Sequence, residues 1–241
     1  MTVSWFSAGV SSAVATKLMI NEIDEIIYTH IDDQHPDTMR FLKDCEEWFG
    51  KKITILQSPL KSVENACRQA NFVNGVHGAS CTRLLKKRVR KEWEIDKKDL
   101  VYVWGMDCDE FERCSRIEDA IPNVEHIFPM VLKSITKSQA HQMVKIARIK
   151  RPQMYELGYG NNNCIGCVKG GRGYWNKIKK DFPAVFNSRA KLERLLNIKS
   201  GIGCSCINGC FLDELPEDSG REPITIDDDC GIFCELKEYQ L

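Results

Sequence analysis

Apolar positions fall into short blocks that alternate with amphipathic stretches through the first half of the chain. Residues 2–6 form a brief β-rich run, and residues 25–31, 52–56, 100–104 and 124–128 repeat it. The run at 100–104 is almost continuously apolar, as a strand buried on both faces requires. Between these blocks the period changes. Val14, Leu18 and Met19 share one helical face, with serines ahead of them where N-caps belong, so residues 11–20 are predicted helical. Pro36, read as the first helical position, opens a helix over 38–49. Further helices are predicted over 81–94, 110–120 and 138–149. The alternation predicts an α/β fold built on a doubly wound, mainly parallel sheet. Ligands of such folds sit beyond the carboxyl ends of the strands, which singles out the residues after Phe6, Ile31 and Trp104.

From about Pro129 the pattern changes. An irregular Gly- and Asn-rich stretch covers residues 158–173, and a basic helical segment over 174–196 is interrupted at Pro183. The tail from Lys199 has turn signals and acids but little periodicity. Three parts are expected: a main domain over 1–150, a loop and helical segment over 151–198, and a cysteine-rich appendage over 199–241. The tail is expected to bury little core and to depend on bound metal for its order.

A chain of 241 residues suffices for one large domain with a small appendage. Its 43% apolar and 28% charged residues are ordinary for a soluble globular protein. The formal net charge of zero announces neither a nucleic acid nor a membrane partner, although a local basic patch stays open. No apolar run reaches bilayer length, and the N-terminus lacks the charged and apolar regions of a signal peptide. The cytoplasm is therefore the expected compartment. Twelve cysteines are many for it, and clustered thiols in a reducing compartment point to metal binding or catalysis.

The first strand runs into Ser7-Ala8-Gly9-Val10-Ser11-Ser12 and then a helix. Small residues let the backbone approach a ligand, and the helix N-terminus favours an anion such as phosphate. No Gly-Lys-Ser/Thr follows, so this is not a Walker A loop. Taken alone, the loop is equally readable as a strand–helix turn that binds nothing.

Residues 7–12 resemble the Ser-Gly-Gly-x-Asp-Ser loop of PP-loop pyrophosphatases and its looser form in phosphoadenosine-phosphosulfate (PAPS) reductases. Ile31-Asp32-Asp33-Gln34-His35-Pro36-Asp37-Thr38 looks like the "Asp-Thr-Gly … Pro-Glu-Thr" segment of that family. Cys81-Thr82-Arg83-Leu84-Leu85-Lys86 is similar to its Cys-x-x-x-Leu-Lys segment, and the stretch from Gly105 through Glu110 to Arg113 to its "Gly … Asp-Glu-Ser … Arg" segment. The resemblance runs over roughly residues 2–185. It departs at Ser11, where most PP-loop pyrophosphatases carry Asp, and at Asp33-Gln34, where the pattern has Thr-Gly. It implies that Ser7, Ala8, Gly9, Ser11 and Ser12 hold phosphate or sulfate oxygens of ATP, adenylylsulfate or PAPS, with magnesium as a candidate counter-ion. Asp32 would accept from a ribose hydroxyl or adenine amine, with Gly105 and Glu110 beside the nucleotide. Arg113 as a fork and Lys86 as a point charge would act on its anionic groups. The plainer alternatives are a solvated helix face for residues 86–91 and a surface pair for Glu110 and Arg113.

Cys164-Ile165-Gly166-Cys167 can turn two thiolates toward one metal. The related adenylylsulfate reductases hold a 4Fe-4S cluster on a Cys-Cys pair and a downstream C-x-x-C. Here Cys81 and Cys164 stand at close to that spacing, with Ser80 in place of the other cysteine. Cys81, Cys164 and Cys167 are thus the expected cluster ligands, and the fourth is either an open iron site or another cysteine such as Cys108, Cys114 or one from the tail. Thiolates suit zinc as well as iron–sulfur. In the tail, Cys204, Cys206, Cys210, Cys230 and Cys234 are enough for a structural zinc site. Alternatively Cys230, in Asp229-Cys230-Gly231-Ile232-Phe233, resembles the nucleophile-bearing tail of sulfonucleotide reductases.

The resemblance implies an enzyme of sulfur chemistry, with sulfonucleotide reduction and ATP-dependent sulfur transfer both open. A thiol reductant or sulfur donor and an RNA or DNA acceptor are the partners these reactions imply, and an oligomer is left open. The rival reading is a non-catalytic nucleotide- or nucleic-acid-binding module with structural zinc, in which Trp175 and Lys177, Lys179 and Lys180 engage a single strand.

Overall fold

The computed structural model describes residues 1–75, 78–200 and 204–221. Five parallel strands, β1 (Thr2–Phe6), β2 (Glu25–His30), β3 (Ile53–Gln57), β4 (Val101–Val103) and β5 (Glu125–Ile127), form one sheet in the order β3-β2-β1-β4-β5. β1 is central, so its two faces meet two different cores. Phe6 joins a cluster with Val10, Val14, Phe41, Phe49, Met130 and Met143. Val3 joins Ile27, Leu100 and Tyr102, with Trp5, Trp93 and Trp104 against them. The alternation of side chains along a strand produces this split. Ser4, the polar residue on the Phe6 side, is buried but satisfied by the Thr16 hydroxyl at 2.7 Å.

The helices are α1 (Val10–Leu18), α2 (Asp37–Phe49), α3 (Val63–Ala70), α4 (Arg88–Glu94), α5 (Phe111–Ala120), α6 (Pro129–Leu132), α7 (Lys137–Ile146), α8 (Gln153–Glu156), α9 (Arg172–Asp181) and α10 (Pro183–Ser200). The chain winds outward from β1 to β3 and then returns to β4 on the other side. This leaves a topological switch between β1 and β4, where open α/β sheets take ligands.

Several expectations are corrected. Pro36 is the N-cap of α2, and Asp37 is its first residue. The expected single helix over 81–94 begins as π-helix at Thr82–Lys87 and becomes α-helix only at Arg88. Short helix α3 is an addition to the expected elements: Val63, Ala66 and Cys67 repeat at helical spacing, and Ser62 caps it by accepting from the Asn65 amide at 3.2 Å. The described tail buries Cys204, Cys206, Ile207, Leu212 and Leu215 in one cluster with Val63, Leu85, Trp175 and Phe186, rather than burying little. Among the described residues, no helix is long and apolar enough to cross a membrane.

Candidate functional site

At the carboxyl end of β1 the chain turns sharply through Ala8, which is buried with φ 58°. The turn is held by one hydroxyl. Ser12 Oγ accepts from the Ser7 amide (3.2 Å), the Ser7 hydroxyl (2.9 Å) and the Gly9 amide (3.3 Å), and donates to the Gly9 carbonyl (2.9 Å). Ser12 therefore spends its hydroxyl on shaping the loop. Ser11, half-buried, has a hydroxyl without a partner among the described residues. The amides of Ser11 and Ser12 belong to the first helical turn, which has no intrahelical acceptors for them. Gly105, after β4, lies against this turn: a Cβ built on it would stand 2.3 Å from Ser12 Cα and 2.6 Å from Ser12 N. Its lack of a side chain is what lets the β4 loop meet α1.

The segment after β2 divides its work. Asp32 is exposed and its carboxylate accepts from Gln57 Nε2 at 2.7 Å. Asp33 faces inward, where it accepts from the Val63 amide at 2.7 Å and pairs with the buried Arg189 of α10. Gln34 Oε1 accepts from the Ile31 amide at 3.2 Å and from the Tyr28 hydroxyl. The two departures from the family pattern, Asp33 and Gln34, are thus bonded into the scaffold.

After β4, Asp107 caps the 3-10 turn Cys108–Glu110, and Glu110 pairs with Arg113 on the surface. Lys137, the first residue of α7, stands in the same neighbourhood and went unnoticed in the sequence. Its ammonium donates to Gly160 O at 2.6 Å and to Asn161 Oδ1 at 2.8 Å. Burial holds its pKa below the ordinary lysine value, and the carboxylates of Asp107 and Glu110 oppose that shift. Burial, then the Glu110 charge, pushes the Asp107 carboxyl up. The overlooked signal is a lysine in the first turn of a helix, where the dipole disfavours a cation.

The C-x-x-C turn lies beside the phosphate loop. Gly166 adopts φ 69°, and the Tyr174 hydroxyl closes the turn by accepting from the Cys167 amide (2.9 Å) and donating to the Cys164 carbonyl (3.1 Å). Two bonds tie this stretch to the sheet edge: Asn162 Nδ2 donates to Ala8 O at 2.7 Å, and the Ile165 amide to Asp33 O at 2.8 Å. Burial pushes the Cys164 thiol up to about 12, with the Lys86 ammonium pulling the other way and Cys167, Asp33 and Cys81 adding to the rise. Cys81 is likewise raised by burial and by Cys167, and lowered by Lys86. These mutual fields place Cys81, Cys164, Cys167 and Lys86 in one neighbourhood. Among the described residues, no three His, Cys, Asp or Glu side chains are arranged to hold a metal ion.

Other cysteines are distributed differently. Cys108 and Cys114 stand among the carboxylates of Asp107, Asp109, Glu110 and Glu118. Cys67, not singled out in the sequence, is buried and pushed up to about 12, first by burial and then by Cys81. Cys206 lies against the buried Glu193, whose carboxylate also accepts from the Leu212 amide at 2.8 Å. Cys210 donates to the Phe211 carbonyl at 3.3 Å. Cys230 and Cys234 lie outside the described residues. Trp175 is fully buried, so it is not free to stack on a nucleobase; Lys177 pairs with Asp181 and Lys179 with Glu217, each at 3.0 Å.

A parallel α/β sheet with a serine-rich loop opening the helix after its first strand defines an adenine-nucleotide-hydrolase-like architecture. The family model of the phosphoadenosine phosphosulfate reductase domain matches residues 1–171. The chain belongs to that family, and with it to enzymes of nucleotide-linked sulfur chemistry. No curated protein matches it.

Proposed function

We propose that this protein binds ATP, adenylylsulfate or PAPS at residues 7–12 and carries out sulfur chemistry beside an iron–sulfur cluster on Cys81, Cys164 and Cys167. One observation carries the reading. The loop that bears Cys164 and Cys167 is hydrogen-bonded to the phosphate loop itself, through Asn162 and Ala8 at 2.7 Å. An anion held by the first turn of α1 is therefore a neighbour of the thiols.

The donor set fits a cluster. Three half-buried cysteines share a neighbourhood with the Lys86 cation, and buried thiols of raised pKa are retained as thiolates only beside added positive charge. When bound, such a cluster supplies a redox or sulfur-donating centre. The chain's own residues do the rest. Ser7, Ser11 and the first-turn amides of α1 grip phosphate or sulfate oxygens, and Asp32 meets the ribose or adenine. Lys86 and Arg113 neutralise anionic charge, and residues 204–221 pack behind α3 and α10.

Anaerobic purification with iron and sulfide analysis tests the metal reading. Iron with acid-labile sulfide is expected, and Cys164→Ser or Cys167→Ser should lose it. Zinc alone at every thiol would leave the rival, a binding module with structural zinc. Calorimetry with ATP, adenylylsulfate and PAPS tests the nucleotide reading. Product analysis then separates the reactions: sulfite with an adenosine phosphate marks sulfonucleotide reduction, and pyrophosphate with AMP marks ATP-dependent sulfur transfer.

A further inference from the structure

Tyr155 lies far along the chain from the phosphate loop, on α8, yet its ring packs in the same core as Val10 and Val14. The residue is 7% exposed. Its hydroxyl oxygen accepts from the Val10 amide, the first amide of α1, at 3.3 Å, and the Asn162 amide lies close enough to draw its pKa down. The oxygen stands over Gly9: a Cβ placed there would lie 3.3 Å from it.

A phenol has one proton to give. With the Val10 amide donating into the oxygen, that proton points elsewhere, and it has no acceptor among the described residues. Leaving a buried donor unmatched is costly, so native proteins rarely do it without a reason. A second polar atom at the junction is left over in the same way. Asn162 Nδ2 donates to Ala8 O and Thr38 Oγ1, but Asn162 Oδ1 is buried with no partner among the described residues. Burial raises the Tyr155 pKa against the pull of the two amides, so the proton stays on the oxygen. The hydroxyl is thus a neutral donor set among the amides of the helix N-terminus.

We infer that Tyr155 is a ligand-binding residue of the phosphate loop, donating its hydroxyl proton to a phosphate or sulfate oxygen of the bound adenine nucleotide. This rests on the nucleotide reading of residues 7–12 given above. The Val10 amide that donates to Tyr155 polarises its hydroxyl and strengthens the bond to an oxyanion.

The opposite role is a plug, in which the hydroxyl takes the place of an anion on the Val10 amide. The two roles predict opposite signs. Calorimetry on the full chain with ATP and with adenosine, for wild type and Tyr155→Phe, separates them. A donor to the phosphates predicts ATP binding weakened about tenfold or more in the variant, with adenosine affinity unchanged. Equal or tighter ATP binding by the variant overturns the inference, as does an equal loss for adenosine. Wild-type protein that binds neither ATP nor adenylylsulfate would sink the nucleotide reading itself, and this one with it. Should Tyr155→Phe not fold, fluorotyrosine placed at position 155 keeps the test. Its fluorine resonance should shift with ATP and not with adenosine, and an identical response to both refutes direct contact.

Discussion

Gly105→Ala is the smallest change that tests whether the loop after β4 must touch the phosphate loop. The added carbon would sit 2.3 Å from Ser12 Cα and 2.6 Å from Ser12 N. Ordinary carbon contacts begin at about 3.5 Å, so one of the two segments must move by roughly 1 Å. Both obstructing atoms are backbone, and no rotamer change relieves them. Overpacking of this kind costs about 1–3 kcal/mol, which for a protein of this size lowers Tm by roughly 2–12 °C. The displaced atoms are also those that fix the Ser12 hydroxyl hub, so nucleotide affinity should fall together with Tm. Scanning calorimetry and ATP titration read the two effects. Ser12→Gly in the same background should not rescue it, because the Cα and amide contacts remain. A Gly105→Ala protein with wild-type Tm and ATP affinity, or one rescued by Ser12→Gly, refutes the close-approach argument.

Two further outcomes follow from buried charge. Asp37 is held below the usual carboxylate range, first by the Arg40 guanidinium and also by the Gln153 amide at 2.9 Å, with burial opposing. A depressed folded pKa means fewer protons on the native state. Its stabilisation is therefore full above the unfolded pKa and lost as pH falls through the folded one, and Asp37→Asn should flatten the acid limb of a Tm–pH profile. Arg189→Met strands the inward-facing Asp33 carboxylate without its cation and should cost about 3–5 kcal/mol in urea unfolding; a loss under ~1 kcal/mol contradicts the buried pair.

The strands were readable because each needs only a local signal. Residues 2–6, 25–31 and 100–104 are short apolar runs between turn residues, and β1, β2 and β4 fall within them. Helices with a stripe and a start signal were readable as well. The exceptions share a cause. Helix α3 is only Val63–Ala70, so its stripe of Val63, Ala66 and Cys67, although at helical spacing, spans little more than one turn and is easily passed over. The π-helical stretch Thr82–Lys87 has no periodic signature of its own, since one wider turn shifts the face without changing the residue types. The tail's core contribution was hidden because Cys204, Cys206, Ile207, Leu212 and Leu215 pack against residues over a hundred positions earlier as well as against α9 and α10.

The candidate site divides along the same line. A motif is visible in sequence when its residues are contiguous, as in the serine loop and the C-x-x-C. It misleads when a polar side chain in the motif serves the scaffold instead. Ser12 was expected to face an oxyanion, but its hydroxyl is consumed by Ser7 and Gly9. Asp33 and Gln34 read as damage to a motif, yet each meets a buried partner that only the fold supplies, Arg189 in one case and Tyr28 in the other. The converse holds for Tyr155, Asn162 and Lys137. Little in their local sequence marks them beyond a lysine in a first helical turn and an Asn-rich stretch, because what makes them consequential is the backbone atom each reaches: Val10 N, Ala8 O and Gly160 O. Those three contacts bind the stretch carrying the cysteine turn to the sheet edge and α7. The cysteine turn and residues 7–12 are held in register by hydrogen bonds to main-chain atoms, which side-chain changes other than proline at those backbone positions leave in place. Disturbing that register therefore requires changing the donor or acceptor side chain, or forcing the backbone itself to move as Gly105→Ala does.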